Sequence, residues 1–200
     1  RFLSSRDATI THMVAQDLSV SVIIPVRHMT TELREALDHL LALDPPATEI
    51  IIVGDAPYPS DLPPAVQWLV LPGSPAEKRD EAAARARGEI LAFLDDDAYP
   101  RPNWLAKALR HFADPNVAAV GGPGVTPVGE PLWPTVAGAV LTSPLGSGST
   151  RLRFLPVGSV RVVDDWPSVN LLVRRNDFHA VGGFSTTYWP GEDTKLCLDL

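Results

Sequence analysis

The sequence predicts a doubly wound α/β fold, a mainly parallel sheet with helices on both faces. Three observations predict it. Short apolar or β-branched runs alternate with segments of helical spacing from Val20 to Val120. Strands separated by helices must be joined by crossovers, and right-handed crossovers give a largely parallel sheet. A chain of 200 residues, 45% apolar and 20% charged, is long enough to bury one sizeable core without disulfides or metal staples.

Each element has its own signal. Val20–Val26 is a β-branched run halted by Pro25, and Leu33, Leu37, Leu40 and Leu41 follow at helical spacing. Glu49–Val53, Val66–Leu71 and Glu89–Leu94 read as the second, third and fourth strands, each bounded by Gly, Pro or Asp. Between the third and fourth, Ser74 as N-cap, Pro75 at the first helical position and Glu77 three residues after the cap form a capping box, with Gly88 expected to close the helix. Pro102 opens a further helix with Leu105, Leu109 and Phe112 on one face, and Val117–Val120 is a fifth apolar run. Residues 122–168 hold seven Pro and seven Gly, so extended segments and loops are expected there rather than long helices. Order returns with a strand at Val169–Val173, a short helix at Asp177–Val181, a turn at Gly182-Gly183 and a helical segment at Glu192–Leu200. The division expected is a polar tail at 1–19, a ligand-binding half at 20–122 and a loop-rich half of the same domain at 123–200 that continues beyond the last residue.

Composition narrows the function. Seventeen Lys and Arg against 24 Asp and Glu leave a formal charge of −7, opposite to the basic footprint of a nucleic-acid binder, so no nucleic-acid partner is expected. The lone Cys197 forms no internal disulfide and no thiolate metal site; it reads as a buried small residue and fits a reducing compartment. No apolar stretch approaches the roughly 20 residues needed to cross a bilayer.

In a doubly wound sheet, ligands bind beyond the carboxyl ends of the strands. Asp95-Asp96-Asp97 occupies that position after Ile90–Leu94. Three adjacent carboxylates repel one another and are relieved by a bound cation or by full solvation. Read alone, the triplet is equally a solvated strand end. Mg²⁺ and Mn²⁺ prefer hard oxygen ligands and are held by one or two carboxylates plus substrate phosphates. On a strand, side chains at i and i+2 lie about 6.6 Å apart, too far to share one metal whose oxygen bonds are about 2.1 Å. Asp97 is therefore assigned to the metal and Asp95 to ribose hydroxyls or a supporting contact. Glu192-Asp193 has two readings as well, an acidic pair offsetting the dipole of the following helix or a site of chemistry.

Val20–Val26 with its helix, Glu49–Pro57, Lys78-Arg79-Asp80, Glu89–Asp97, Arg174-Arg175 with Gly182-Gly183-Phe184, and Gly191-Glu192-Asp193 resemble, in order and spacing, the family 2 glycosyltransferases of the GT-A fold. The resemblance runs over residues 20 to 200, and its strongest pieces are ILAFLDDDA and VGGF followed by GED. It implies an inverting, metal-dependent, hexosyltransferase-like enzyme that moves a sugar from a nucleotide-diphosphate donor, a UDP-sugar favoured, to an acceptor hydroxyl. By that likeness Asp95 and Asp97 take the DXD roles with Mn²⁺ or Mg²⁺, and Asp193 is the general base. Pro25, Val26, Arg27, Asp55, Arg79, Asp95 and Asp96 are expected to bind the nucleotide-sugar, and Glu192 and Trp189 to face the acceptor. SPLGSGSTRLRF is similar to members that extend polysaccharides or lipid-linked glycans, which implies a glycan or lipid-linked acceptor, a cytoplasmic location and membrane association through a segment outside this chain.

The sequence also departs from the pattern. Gly54 and Lys195 stand where the family usually has acidic residues. These departures favour one alternative, a nucleotide-sugar- or glycan-binding module that has the fold but little turnover. A second alternative, a phosphatase of the haloacid dehalogenase type, also carries a DxD after a buried parallel strand, but on an early strand followed by Thr or Val, whereas Ala98-Tyr99 follow here. Arg79 is open to a surface role on an Arg- and Glu-rich helix. Trp133 and Trp166 are candidates for sugar stacking or for loop packing, and Arg151, Arg153 and Arg161 for an acceptor phosphate or for solvated loop charges.

Overall fold

The computed structural model describes residues 18–58, 62–156, 158–184, 188 and 190–200. Among them, six strands form one sheet: β1 (Val20–Pro25), β2 (Glu49–Gly54), β3 (Val66–Val70), β4 (Ile90–Leu94), β5 (Ala119–Gly121) and β6 (Asn170–Arg174), in the order β3-β2-β1-β4-β6-β5. β1 pairs in parallel with both β2 and β4, placing Ile23 beside Ile51 and Phe93, and β2 pairs in parallel with β3. The sheet is thus mainly parallel, as the alternating pattern predicts, with one reversal. β6 runs antiparallel to both β4 and β5 and draws the later half of the chain into the same sheet.

Because β1, β2 and β4 are buried along their whole length, their side chains alternate between two cores. Val22, Ile24, Ile52 and Ala92 meet Leu33, Leu37 and Leu40 of helix α1 (Thr31–Leu41), and Leu105 and Leu109 of helix α3 (Trp104–Leu109). Ile23, Ile51, Val53 and Phe93 meet Ala82 and Ala83 of helix α2 (Pro75–Arg85), together with Phe178, Phe184 and Leu196. Helices therefore cover both faces. Leu18 packs on the first of these cores, and the Ser19 carbonyl accepts the Ile90 N–H, so these two residues of the expected tail belong to the domain.

The α2 capping box forms as expected: Ser74 Oγ accepts the Glu77 N–H, and Glu77 Oε2 accepts the Ser74 N–H at 2.7 Å. The helix ends at Arg85, ahead of Gly88. That glycine has a different task, since a Cβ there would lie 2.4 Å from the Ser21 nitrogen.

Residues 122–168 depart from expectation by containing an 11-residue helix, α4 (Leu132–Thr142), then α5 (Pro144–Ser147) and a 3₁₀ turn at Gly148–Arg153. Pro134 is tolerated because it falls in the first turn, where an N–H has no helical acceptor. Gly138 is required because a Cβ would come within 2.3 Å of Thr126 Oγ1. The short helix expected at Asp177–Val181 starts two residues earlier, as α6 (Arg175–Ala180), and the last helix is α7 (Glu192–Asp199).

Candidate active site

The chain leaves β1 toward α1 on one face, and α2 leads into β4 from the other, so the strand order reverses at the carboxyl ends of β1 and β4. Ligands bind at such a switch point. A cleft of about 570 Å³ lies there, lined by Pro25, Val26, Arg27, His28, Thr30, Gly73, Ser74, Pro75, Lys78 and Asp96. Four residues expected to bind the nucleotide-sugar are thus gathered at one opening: Pro25, Val26, Arg27 and Asp96.

Lys78 is a residue that sequence reasoning missed. Only 3% of its side chain is exposed, and its Nζ donates to the Val26 carbonyl at 2.6 Å and meets Asp55 Oδ1 at 2.6 Å. The hydrogen bond from Lys78 is the main reason Asp55 is held below the usual carboxylate range. The signal was present in the capping box, which fixes the phase of α2: the buried face carries Ala76, Lys78, Arg79, Ala82 and Ala83. A helix that buries two adjacent cations must have acidic partners waiting at the end of the sheet.

Those partners are the two acidic motifs. The Arg79 guanidinium donates to Asp95 Oδ1 at 2.8 Å and lies 3.7 Å from Glu192 Oε1, with its carbon 5.4 Å from the centre of the Phe184 ring. One buried cation therefore ties the tip of β4 to the start of α7. Arg79 faces carboxylates in this structure and does not line the cleft. Burial pushes the Asp95 carboxyl up, Arg79 opposes this, and the charges of Asp97 and Asp193 push it up further. Asp96 is raised chiefly by burial, and Asp97 is exposed.

Asp193 opens α7, where Gly191, at φ +128, turns the chain into the helix. Its Oδ2 accepts the Ser168 N–H at 3.1 Å, while its Oδ1 is buried with no partner among the described residues. A carboxylate oxygen fixed by one bond and free at the other, close enough to Asp95 to act on its charge, is arranged to accept a proton. Among the described residues, Arg79 Nε is the other buried side-chain polar atom without a partner. Both orphans sit on the same acidic junction.

The donor set fits a divalent cation. Three carboxylates with an excess of negative charge over Arg79 offer hard oxygens, and Asp95 already commits Oδ1 to Arg79. Among the described residues no group of three or more His, Cys, Asp and Glu converges on one point, so the protein alone supplies no closed cage. That matches an ion held by one or two carboxylates and completed by phosphates.

The remaining candidates divide. Trp189 lies outside the described residues. Trp166 is buried, with Nε1 donating to the Gly122 carbonyl and a ring that leaves no room for a Cβ at Gly121, so it packs the loop and stacks on no ligand. Trp133 is 77% exposed on α4. Arg153 is bound by Asp165 at 2.5 Å and is not free for a phosphate. Cys197 is half-buried rather than buried, its Sγ receiving the Trp166 N–H. Both departures from the sequence pattern have local causes. A Cβ on Gly54 would lie 2.3 Å from the Trp68 indole, so the ring excludes an acid there, and Lys195 pairs with Asp199 along the surface of α7.

A family model described as glycosyl transferase family 2 matches residues 21–160. The pre-mycofactocin glycosyltransferase of Mycobacterium tuberculosis, recorded for two strains, is 33% identical over 204 residues, covering 96% of this chain and 42% of the relative. The chain thus spans less than half the length of the curated relatives it matches. Two solved structures share the fold. The mannosyltransferase PcManGT from Pyrobaculum calidifontis, in complex with GDP-Man and Mn²⁺, has a TM-score of 0.58 at 20% identity, over 94% of this chain and 60% of that one. TarS 1–349 from S. aureus has a TM-score of 0.62 at 17% identity, over 91% of this chain and 55% of that one.

Proposed function

The chain belongs to glycosyl transferase family 2, and from that membership we propose that it transfers a sugar, with inversion, from a nucleotide-diphosphate donor to an acceptor hydroxyl. The observation that carries the reading is the junction on Arg79, where the acidic tip of β4 and the acidic start of α7 meet around an unpartnered Asp193 oxygen.

The donor lies along the cleft, its base against Pro25, Val26, Arg27 and the Lys78–Asp55 pair, its sugar toward Asp95 and Asp96. Asp97, supported by Asp95, would hold Mn²⁺ or Mg²⁺, which when bound would neutralise the charge that develops on the departing diphosphate. Asp193 Oδ1 takes the proton of the acceptor hydroxyl as its oxygen bonds to the anomeric carbon. The bond from that carbon to the diphosphate oxygen breaks and leaves its electron pair on the phosphate. One displacement from the opposite face inverts the centre. The Ser168 N–H keeps Asp193 aimed by occupying Oδ2, and Glu192, anchored on Arg79, flanks the acceptor. The Mn²⁺ and GDP-Man in the Pyrobaculum structure support this kind of donor and ion, and a UDP- or GDP-linked sugar is the class we favour. A glycan or lipid-linked acceptor and a cytoplasmic location complete the reading. It is preferred to the non-catalytic module because Gly54 and Lys195 have packing explanations that leave the acidic junction intact.

The test is a panel of nucleotide sugars, each with and without Mn²⁺, read by melting temperature and by release of nucleoside diphosphate. A ligand that binds only the native state raises its stability. At least one donor is expected to raise the melting temperature only when Mn²⁺ is present and to be consumed once an acceptor is added. A flat panel overturns the reading.

A further inference from the structure

Asp80 follows Arg79 on α2 and reaches the Gly182-Gly183 turn, where its Oδ1 accepts the Phe184 N–H at 2.9 Å. Both glycines are left-handed, at φ +89 and +75, and a Cβ on Gly183 would lie 2.7 Å from that same oxygen. The turn is therefore built to bring backbone onto the carboxylate. Phe184, held by this bond, packs its ring on Phe93 at 5.0 Å and beneath the Arg79 guanidinium. Arg79 in turn grips Asp95 and Glu192. A continuous line of contacts thus runs from Asp80 through Phe184 and Arg79 to both acidic motifs, without Asp80 touching the cleft.

We propose that Asp80 is a positioning residue: it latches the Gly183-Phe184 turn against Arg79 and so sets the alignment of Asp95 with Glu192 and Asp193 during transfer. The proposal rests on the function proposed above. A neutral side chain would satisfy one amide at lower cost, because burial pushes the Asp80 carboxyl up to about 6, with the Phe184 amide and Arg79 opposing it. The charge strengthens the bond, and the protonated carboxyl keeps an oxygen that can still accept it. The charged groups around it are few. Arg79, Glu77 and Glu81 lie on its own helix, while Leu71 and Pro72 after β3, and the 182–184 turn, bring none.

The experiment compares the parent chain with Asp80→Ala and Asp80→Asn, measuring amide exchange at Phe184, donor binding, and transfer across mildly acidic to neutral pH. In Asp80→Ala, exchange at Phe184 is expected to quicken and kcat to fall, each by about tenfold or more, while donor affinity stays within about twofold. Asp80→Asn keeps an acceptor for the amide, so it is expected to recover both, and its rate is expected to follow the parent's across the same pH range. Parent-like kcat in Asp80→Ala, or a loss of donor binding as large as the loss of rate, overturns the latch, as does failure of Asp80→Asn to rescue. A parent with a protected Phe184 amide that consumes no donor overturns the proposed function itself, and the catalytic role of the latch with it.

Discussion

Two carboxylate clusters lie at opposite ends of the same sheet, and they are built on opposite terms. At the amino end, Glu49 opens β2 almost wholly buried, yet it accepts from Ser21 Oγ, Gln67 Nε2, the Arg87 amide and the Arg87 guanidinium. Burial pushes its carboxyl up, but those hydrogen bonds and the Arg87 charge outweigh it and hold the group below its ordinary range. At the carboxyl end, Asp95 is pushed up, and Asp193 Oδ1 and Arg79 Nε are buried without partners. A saturated cluster holds the fold together. An unsaturated one stores unmet hydrogen-bonding capacity where a substrate and an ion can use it.

The comparison breaks most visibly through rate. Asp193→Asn removes the proposed base while keeping one amide oxygen that can accept the Ser168 N–H in place of Oδ2, so transfer is expected to fall by roughly 10²–10⁴-fold with donor affinity nearly unchanged. Its melting temperature should match or exceed the parent's, because no satisfied ion pair is lost. A variant that turns over like the parent would show that the orphan oxygen is not the base.

Glu49→Ala is the mirror image. It strips an acceptor from the buried Ser21 hydroxyl and from the Gln67 and Arg87 amides, whose bonds to it are half-buried, and should cost about 1–3 kcal/mol in a urea titration, with unchanged activity per folded molecule. Its pH dependence has a definite sign. The folded carboxyl lies below its ordinary value of 4.5, so its contribution is present above that pH and is lost as pH falls through the folded value. The gap between parent and variant should therefore narrow in acid without closing. A smaller effect, about tenfold, is expected for Asp97→Ala on donor affinity measured with Mn²⁺, and none on affinity measured without it. Equal Mn²⁺ responses in the two proteins would remove Asp97 from the ion's ligands.

Much of this division was legible in the residues. Apolar strands announced the sheet, Ser74, Pro75 and Glu77 fixed α2, and the acidic triplet after Leu94 marked the edge where the site is proposed. What stayed hidden depends on contacts between distant segments. The run Asn170–Arg174 reads as a strand but carries no mark of direction, and only its pairing with β4 reveals the reversal. Pro134 and Gly138 read as helix breakers, because position within the first turn and contact with Thr126 are tertiary facts. Arg79 read as a nucleotide ligand or a surface charge. Its true surroundings needed Phe184 and Glu192, which belong to another part of the chain. Lys78 was passed over for the same reason, since Asp55 and the Val26 carbonyl meet it only in the folded state.

The finest test of the contrast lies at Asp80, on the functional side. Its carboxyl rises from 3.8 to about 6, so the native state holds this proton more tightly than the unfolded chain between those values. Its contribution is therefore fully present below pH 3.8 and is lost as pH rises through 6, the reverse of Glu49. Above that window the ionised form is a standing cost, on the order of 1–3 kcal/mol. Asp80→Asn keeps the Phe184 contact without the charge, so it should be more stable than the parent at neutral pH, by an amount that shrinks as pH falls toward 4. Stability curves at several pH values measure this directly. If the gap keeps one size at every pH, or favours the parent, then the charge at Asp80 is no burden to the fold, and the carboxyl end of the sheet does not trade stability for function at this position.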